Sequence, residues 1–310
     1  MNAHARGVDR AAPIRILLRD AVDYAGLFPP AQLDMPGAVA EYASYLDSAD
    51  AWALGRFVVP AARLDEIVAT ARARFALGGG ALGSQGWRLS AVFGSDIPAD
   101  MERVRAFNAA SGTGAWTAQV QAVELRASTP DAIAAAMRAL PDDLERFVEI
   151  PIDGDVQPLV QAIASAAAFG KVRTGGTSAD AFPASEHLVR FLAACIAHDV
   201  PFKATAGLHH PVRGEYALTY APDSTRSTMY GFLNVLLAAA FLRVGAGDTV
   251  AQEVLEERRA AAFEFDDGGV SWRGHRLSTE ELAAARTVTR SWGSCSFREP
   301  IDDLSTLGML

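Results

Sequence analysis

Between residues 56 and 206 the chain alternates short β-branched runs with longer alanine- and leucine-rich stretches, which leaves few folds open. The strand-like runs lie at 56–60, 87–94, 119–125, 146–150, 171–174 and 202–206. Helix-like stretches lie between them, near 62–76, 99–110, 130–139, 157–168 and 184–199. A strand that returns at intervals of about 25 to 32 residues, with a helix in each interval, predicts a parallel sheet. Thr129-Pro130-Asp131 supplies an N-cap hydroxyl and a proline at the first helical position. No Gly-x-Gly-x-x-Gly turn follows the first strand, which weighs against an open dinucleotide-binding sheet. The expected class is therefore α/β, as a closed (β/α)8 barrel of the TIM type spanning 1–310.

Two stretches depart from the alternation. Residues 1–50 read as an N-terminal extension, in which Asp23-Tyr-Ala-Gly-Leu-Phe-Pro-Pro-Ala31 has the glycine and double proline of a fixed loop. There Asp23 and Tyr24 either pack or line a barrel mouth. Residues 226–274 read as an insertion of two helices, over 226–257, and a hairpin before the last strand. Its hairpin signal is Phe263-Glu-Phe-Asp-Asp-Gly-Gly-Val-Ser-Trp272, an alternating pattern around an Asp-Gly-Gly turn. Trp292-Gly-Ser-Cys-Ser-Phe297 reads as the last barrel strand, and Gly78-Gly-Gly80 as a mobile link.

Composition narrows the function classes. Half of the residues are hydrophobic (50%), enough to bury a large core. A formal charge of -9 and a pI near 5.2 exclude a nucleic-acid or anionic-membrane partner. The apolar run from Phe232 to Leu242 is eleven residues with Asn234 inside it, too short to span a bilayer and suited to a buried helix. The apolar segment 226–243 is also a candidate dimer surface, so a homo-oligomer is possible. The first ten residues lack the apolar core of a signal peptide, and two cysteines make neither a disulfide framework nor a zinc set. The expectation is a cytoplasmic protein that uses no cofactor and no metal.

The chemistry is concentrated in two residues. Lys171 and Lys203 are the only lysines, against 26 arginines. Each sits in a strand-like run that leads into glycine: Lys171-Val-Arg-Thr-Gly-Gly176 and Phe202-Lys-Ala-Thr-Ala-Gly207. Arginine stays charged, whereas a buried lysine can present a neutral amine, a base or nucleophile. Strand alternation puts Lys171 and Arg173 on one face, and Lys203 and Thr205 on one face. If both faces line a barrel, two ammonium groups and a guanidinium converge at its mouth, where each disfavours the charge of the others. Glycines after each strand would let backbone N–H groups approach a bound anion. The same lysines could instead pair with Glu124 and Glu149.

A lysine strand ending in Thr-Gly, then a helix, then Phe-Lys with glycine shortly beyond, resembles the 2-deoxyribose-5-phosphate aldolase family over about residues 146–213. The matching residues are Lys171, Thr174, Gly175, Phe202, Lys203 and Gly207. The resemblance implies that Lys171 is a Schiff-base lysine and that Lys203 is the ammonium favouring its neutral form. It further implies that Glu149 is similar to an acidic position one unit earlier, and that Gly293-Ser294-Cys-Ser296 is similar to a phosphate-binding turn. Glu124 is the best match for a proton-relaying acid. Thr205, Gly176 and His209 complete the expected substrate contacts. Departures are Arg173 in place of a small residue and Leu208-His-His-Pro211 after the second lysine. Adjacent histidines in an extended segment point apart, so only one of His209 and His210 would face a site. Cys295 reads as a small buried thiol or as a reactive one.

Three functions follow. The first is a lyase forming a lysine Schiff base with a small carbonyl substrate that carries phosphate or carboxylate. The second is a barrel isomerase that clamps an anion without covalent chemistry, or a lyase with a divalent metal on Glu124 and Glu149. The third is a non-catalytic ligand-binding protein on the same scaffold.

Overall fold

A computed structural model describes residues 11–76, 86–111 and 117–310, so the Gly78-Gly-Gly80 link lies outside the described residues. Eight parallel strands close into a barrel. In chain order they begin with β1 (Val22–Tyr24), β2 (Leu54–Pro60), β3 (Trp87–Val92), β4 (Ala118–Arg126), β5 (Glu145–Glu149), β6 (Phe169–Arg173) and β7 (Phe202–Thr205). An antiparallel pair, β8 (Gly214–Ala217) and β9 (Arg226–Met229), and a three-stranded sheet, β10 (Glu264–Asp266), β11 (Gly269–Trp272) and β12 (His275–Ser278), come next. The last strand, β13 (Thr289–Ser294), pairs with β1 on one side and β7 on the other and closes the ring. The expected (β/α)8 barrel is therefore the architecture.

Helices cover the outer faces of the strands, which is why those faces are apolar, while the inner faces carry the charged residues described below. One starts as its sequence predicts, and another has the same capping without having been expected. Thr129 Oγ1 accepts from the Ala132 N–H at 3.1 Å, ahead of the helix Pro130–Ala139. Asp34 Oδ1 does the same for the Gly37 N–H at 2.8 Å, ahead of Met35–Leu46.

Part of the 1–50 segment belongs to the barrel itself. β1 is hydrogen-bonded between β13 and β2, but three residues are too few for a strand period to appear in the sequence. Residues 226–229 form β9, not the start of a helix, because they pair with Gly214–Ala217. The first helix of this region, Phe232–Arg243, crosses from β7 to β13, and every residue from Phe232 to Phe241 is buried. The Phe232 ring stacks on Trp292 of β13 with centroids 4.6 Å apart. Its single buried polar residue is satisfied: Asn234 donates to the carbonyls of Val254 and Glu257 at 2.7 and 2.8 Å and accepts from the Arg213 N–H. The candidate dimer surface at 226–243 is thus corrected, since its apolar face is spent inside the chain.

The predicted hairpin forms as β10 and β11, with Asp266 paired to Gly269 across the turn. The last strand runs from Thr289 to Ser294, so Cys295 and Ser296 fall just past its end instead of within it. Among the described residues no helix is long and apolar enough to cross a membrane.

Candidate active site at the carboxyl-terminal mouth

Register brings the charged residues together. Glu149 of β5 lies beside Lys171 of β6, Lys171 beside Lys203 of β7, and Lys203 beside Ser291 of β13. These four neighbours share one level of the barrel. Glu124 and Arg126 of β4 are two residues apart on one face, and Asp23 enters from β1.

The result is an alternating chain of charges. Lys203 Nζ donates to Asp23 Oδ2 at 2.6 Å and to Glu124 Oε1 at 2.7 Å. Glu124 Oε2 lies 2.9 Å from Lys171 Nζ, which in turn lies 2.8 Å from Glu149 Oε2. Outer contacts hold the ends: Ser90 Oγ donates to Glu124 Oε1, Ser291 Oγ and the Arg56 N–H donate to Asp23, and Arg126 Nε donates to Glu149 Oε1 at 2.9 Å. Arg173 Nε is 3.6 Å from that same oxygen.

The two lysines are held differently. Lys203 is 1% exposed, with two short, aligned hydrogen bonds and the Phe147 ring below it. Lys171 is 7% exposed and lies 2.9 Å from Glu124 Oε2 and 2.8 Å from Glu149 Oε2.

Burial alone would lower the Lys203 ammonium, but Asp23 and Glu124 outweigh it and hold it above its ordinary value. Burial alone would raise Glu124, but Lys171, Lys203 and Ser90 pull it well below the carboxylate range. Glu149 is lowered in the same way, burial opposing and Lys171, Arg173 and Arg126 prevailing. The expected cluster of unscreened positive charge is therefore corrected: a carboxylate stands between the lysines, because β4 projects Glu124 toward both.

Above this layer a cavity of about 700 Å³ opens at the carboxyl-terminal ends of the strands, the face where barrels of this type carry their sites. Glu124, Lys171, Arg173, Lys203, Thr205 and His209 all line it, as do Gly176, Gly293, Arg126 and Cys295. Gly293 is small because Thr205 fills its side, with a Cβ there meeting Thr205 Oγ1 at 3.1 Å. Glu149 lies at its edge and lines an adjoining cavity with Arg126 and Arg173.

Other expected contacts are structural. Thr174 is buried and donates to the Ala206 carbonyl at 2.6 Å, tying the ends of β6 and β7 together. Gly175 and Gly207 do not form an anion cradle, because the Phe182 ring covers both. A Cβ on Gly175 would meet that ring at 2.4 Å, and one on Gly207 at 2.8 Å. Ser294 is buried and donates to the Ser296 carbonyl at 2.6 Å, while Ser296 Oγ accepts from the Glu299 N–H. Neither serine lines the cavity, and the carboxylate of Glu299 nearby opposes phosphate there. His209 and His210 do diverge: His210 Nδ1 is 2.7 Å from Asp303 and its ring stacks on Tyr216.

Arg126 is the residue that sequence reasoning missed, although it carried a signal, two positions from Glu124 on the same strand. Asp23 was read as packing or lining the mouth, but its strand is too short to show that it faces Lys203.

Among the described residues, no three His, Cys, Asp or Glu side chains are grouped to hold a metal ion. All four oxygens of Glu124 and Glu149 already face lysine or arginine nitrogens. No family model and no curated protein matches this chain. The barrel and its mouth therefore carry the functional reading by themselves.

Proposed function

We propose that this protein is a class I aldolase-like lyase, in which Lys171 forms a Schiff base with a small carbonyl substrate. What supports this most is the contrast between the lysines. Both line the cavity, but Lys203 is 1% exposed and donates to Asp23 and Glu124, whereas Lys171 is 7% exposed and lies between Glu124 and Glu149, the latter opening onto the adjoining cavity with Arg126 and Arg173.

The chemistry runs from those contacts. Lys171 gives a proton to Glu149 Oε2, its neighbour at 2.8 Å. The charge of Lys171 is itself what holds Glu149 low, so losing that charge makes Glu149 a better proton holder. The neutral amine attacks the carbonyl carbon, and Glu149 returns its proton to the carbinolamine hydroxyl, which leaves as water to give an iminium. The iminium draws electrons from the carbon–carbon bond one position further out while Glu124, fixed by Lys203 and Ser90, takes the proton of the hydroxyl on the far carbon, so that cleavage leaves an enamine on Lys171 and releases a carbonyl product. Glu124 then returns that proton to the enamine carbon, and water hydrolyses the resulting iminium to free Lys171. Arg126 and Arg173 at the rim suit a substrate with a carboxylate or phosphate. The lysines are neutralised by three carboxylates and do not serve that purpose.

An enamine exchanges the hydrogens next to the former carbonyl with solvent. Small aldehydes and keto acids incubated in D2O should therefore gain deuterium at that carbon, read by proton NMR. Wild-type protein should catalyse the exchange and Lys171→Arg should not. If no compound of a broad panel exchanges, the lysines serve ion pairing in a ligand-binding scaffold.

A further inference from the structure

A second group of reactive side chains borders the same cavity, supplied by the loops after β7 and β13. Cys295 Sγ lies 3.9 Å from both ring nitrogens of His209. His209 Nδ1 is 3.0 Å from Glu299 Oε2, in the first turn of the helix Arg298–Thr306. The Tyr220 hydroxyl, from the loop joining β8 to β9, donates to that oxygen at 2.7 Å and sits 3.4 Å from Sγ. Cys295 and His209 are 4% and 8% exposed, yet both line the cavity.

We infer that Cys295, His209 and Glu299 form a second nucleophilic station of this cavity, in which the thiol gives its proton to the imidazole and adds reversibly to the carbonyl of a small aldehyde. The order of contacts assigns the roles. Glu299 engages Nδ1 and so fixes the ring, which leaves Nε2 to take the thiol proton. A thiolate beside a cationic imidazole is the reactive form of cysteine. Consistent with that pairing, burial alone would lower His209, but Cys295 and Glu299 raise it to about 10.

The step balances without a co-reactant. The S–H proton moves to His209 Nε2, and sulfur bonds to the carbonyl carbon. The π pair of the carbonyl moves to oxygen, which takes the proton back from His209. The product is a hemithioacetal, and the reverse path releases the aldehyde. Nothing is oxidised or reduced, and Lys171 is not needed.

Cys195 provides an internal comparison. It is fully buried with no charged partner, and burial pushes its thiol up. Native protein is treated with iodoacetamide, and alkylation at each cysteine is followed by peptide mass mapping. Cys295 should react at least about tenfold faster than Cys195, and His209→Asn should slow Cys295 by about tenfold or more, with a smaller slowing in Glu299→Gln. Glycolaldehyde should protect Cys295 in the Lys171→Arg protein as well as in wild type, which separates this station from Schiff-base chemistry. Equal rates at the two cysteines would overturn the assignment, and this comparison needs no variant. An unchanged Cys295 rate in His209→Asn would overturn the imidazole's role. Protection that disappears in Lys171→Arg would overturn the aldehyde as the thiol's ligand.

Discussion

Lys203 of β7 reaches Asp23 of β1 across 180 residues of sequence, donating to Oδ2 at 2.6 Å. The second proton-bearing direction goes to Glu124 at 2.7 Å, so one ammonium joins the first, fourth and seventh strands of the ring. The pair is fully buried, where a missing partner leaves a charge that water cannot reach.

Replacing Lys203 by Met should therefore destabilise the fold by about 3–5 kcal/mol, because Asp23 and Glu124 lose their shared counter-charge. Urea unfolding measures this, with the midpoint falling and the slope unchanged.

Acid should weaken the protein through the same network. Glu124 and Glu149 are held below their ordinary value of 4.5, so their contribution is present above that pH and is lost as pH falls through the lowered values. Lys203, held above its ordinary 10.5, stays charged throughout that window. Unfolding free energy measured from pH 6 downward should drop below about pH 4.5, and Glu124→Gln should make the drop shallower.

Gly207→Ala should cost about 1–3 kcal/mol by overpacking, since its φ is +75° and the new methyl meets the Phe182 ring at 2.8 Å. Adding Phe182→Ala should recover the steric part of that loss and leave the backbone part. Thermal unfolding of the single and double variants separates the two.

Phe232→Ala should cost about 3–5 kcal/mol, because it empties a fully buried site against Trp292. The loss should appear in the same cooperative transition as the barrel, read by near-ultraviolet circular dichroism of the tryptophans.

The barrel was legible because six of its strands repeat with helices between them, and alternation put Lys171, Arg173, Lys203 and Thr205 on inward faces. β1 was not legible: three residues show no period, and its Asp23 finds a partner only when the ring closes. Glu124 was a candidate acid, but its place between the lysines depends on how β4 sits across the barrel from β7. The glycines misled for a packing reason. Gly175 and Gly207 look like room for a ligand, and Phe182, seven residues beyond Gly175, takes that room.

The central claim is that Lys171, and not Lys203, is the nucleophilic amine of the cavity. The direct measurement is intact-protein mass after incubation with small aldehydes and keto acids plus borohydride, followed by mapping of the modified peptide. The expected result is one stable adduct on Lys171, present in Lys203→Arg if that variant folds and absent in Lys171→Arg. An adduct on Lys203, or none across the panel in wild-type protein, would contradict it.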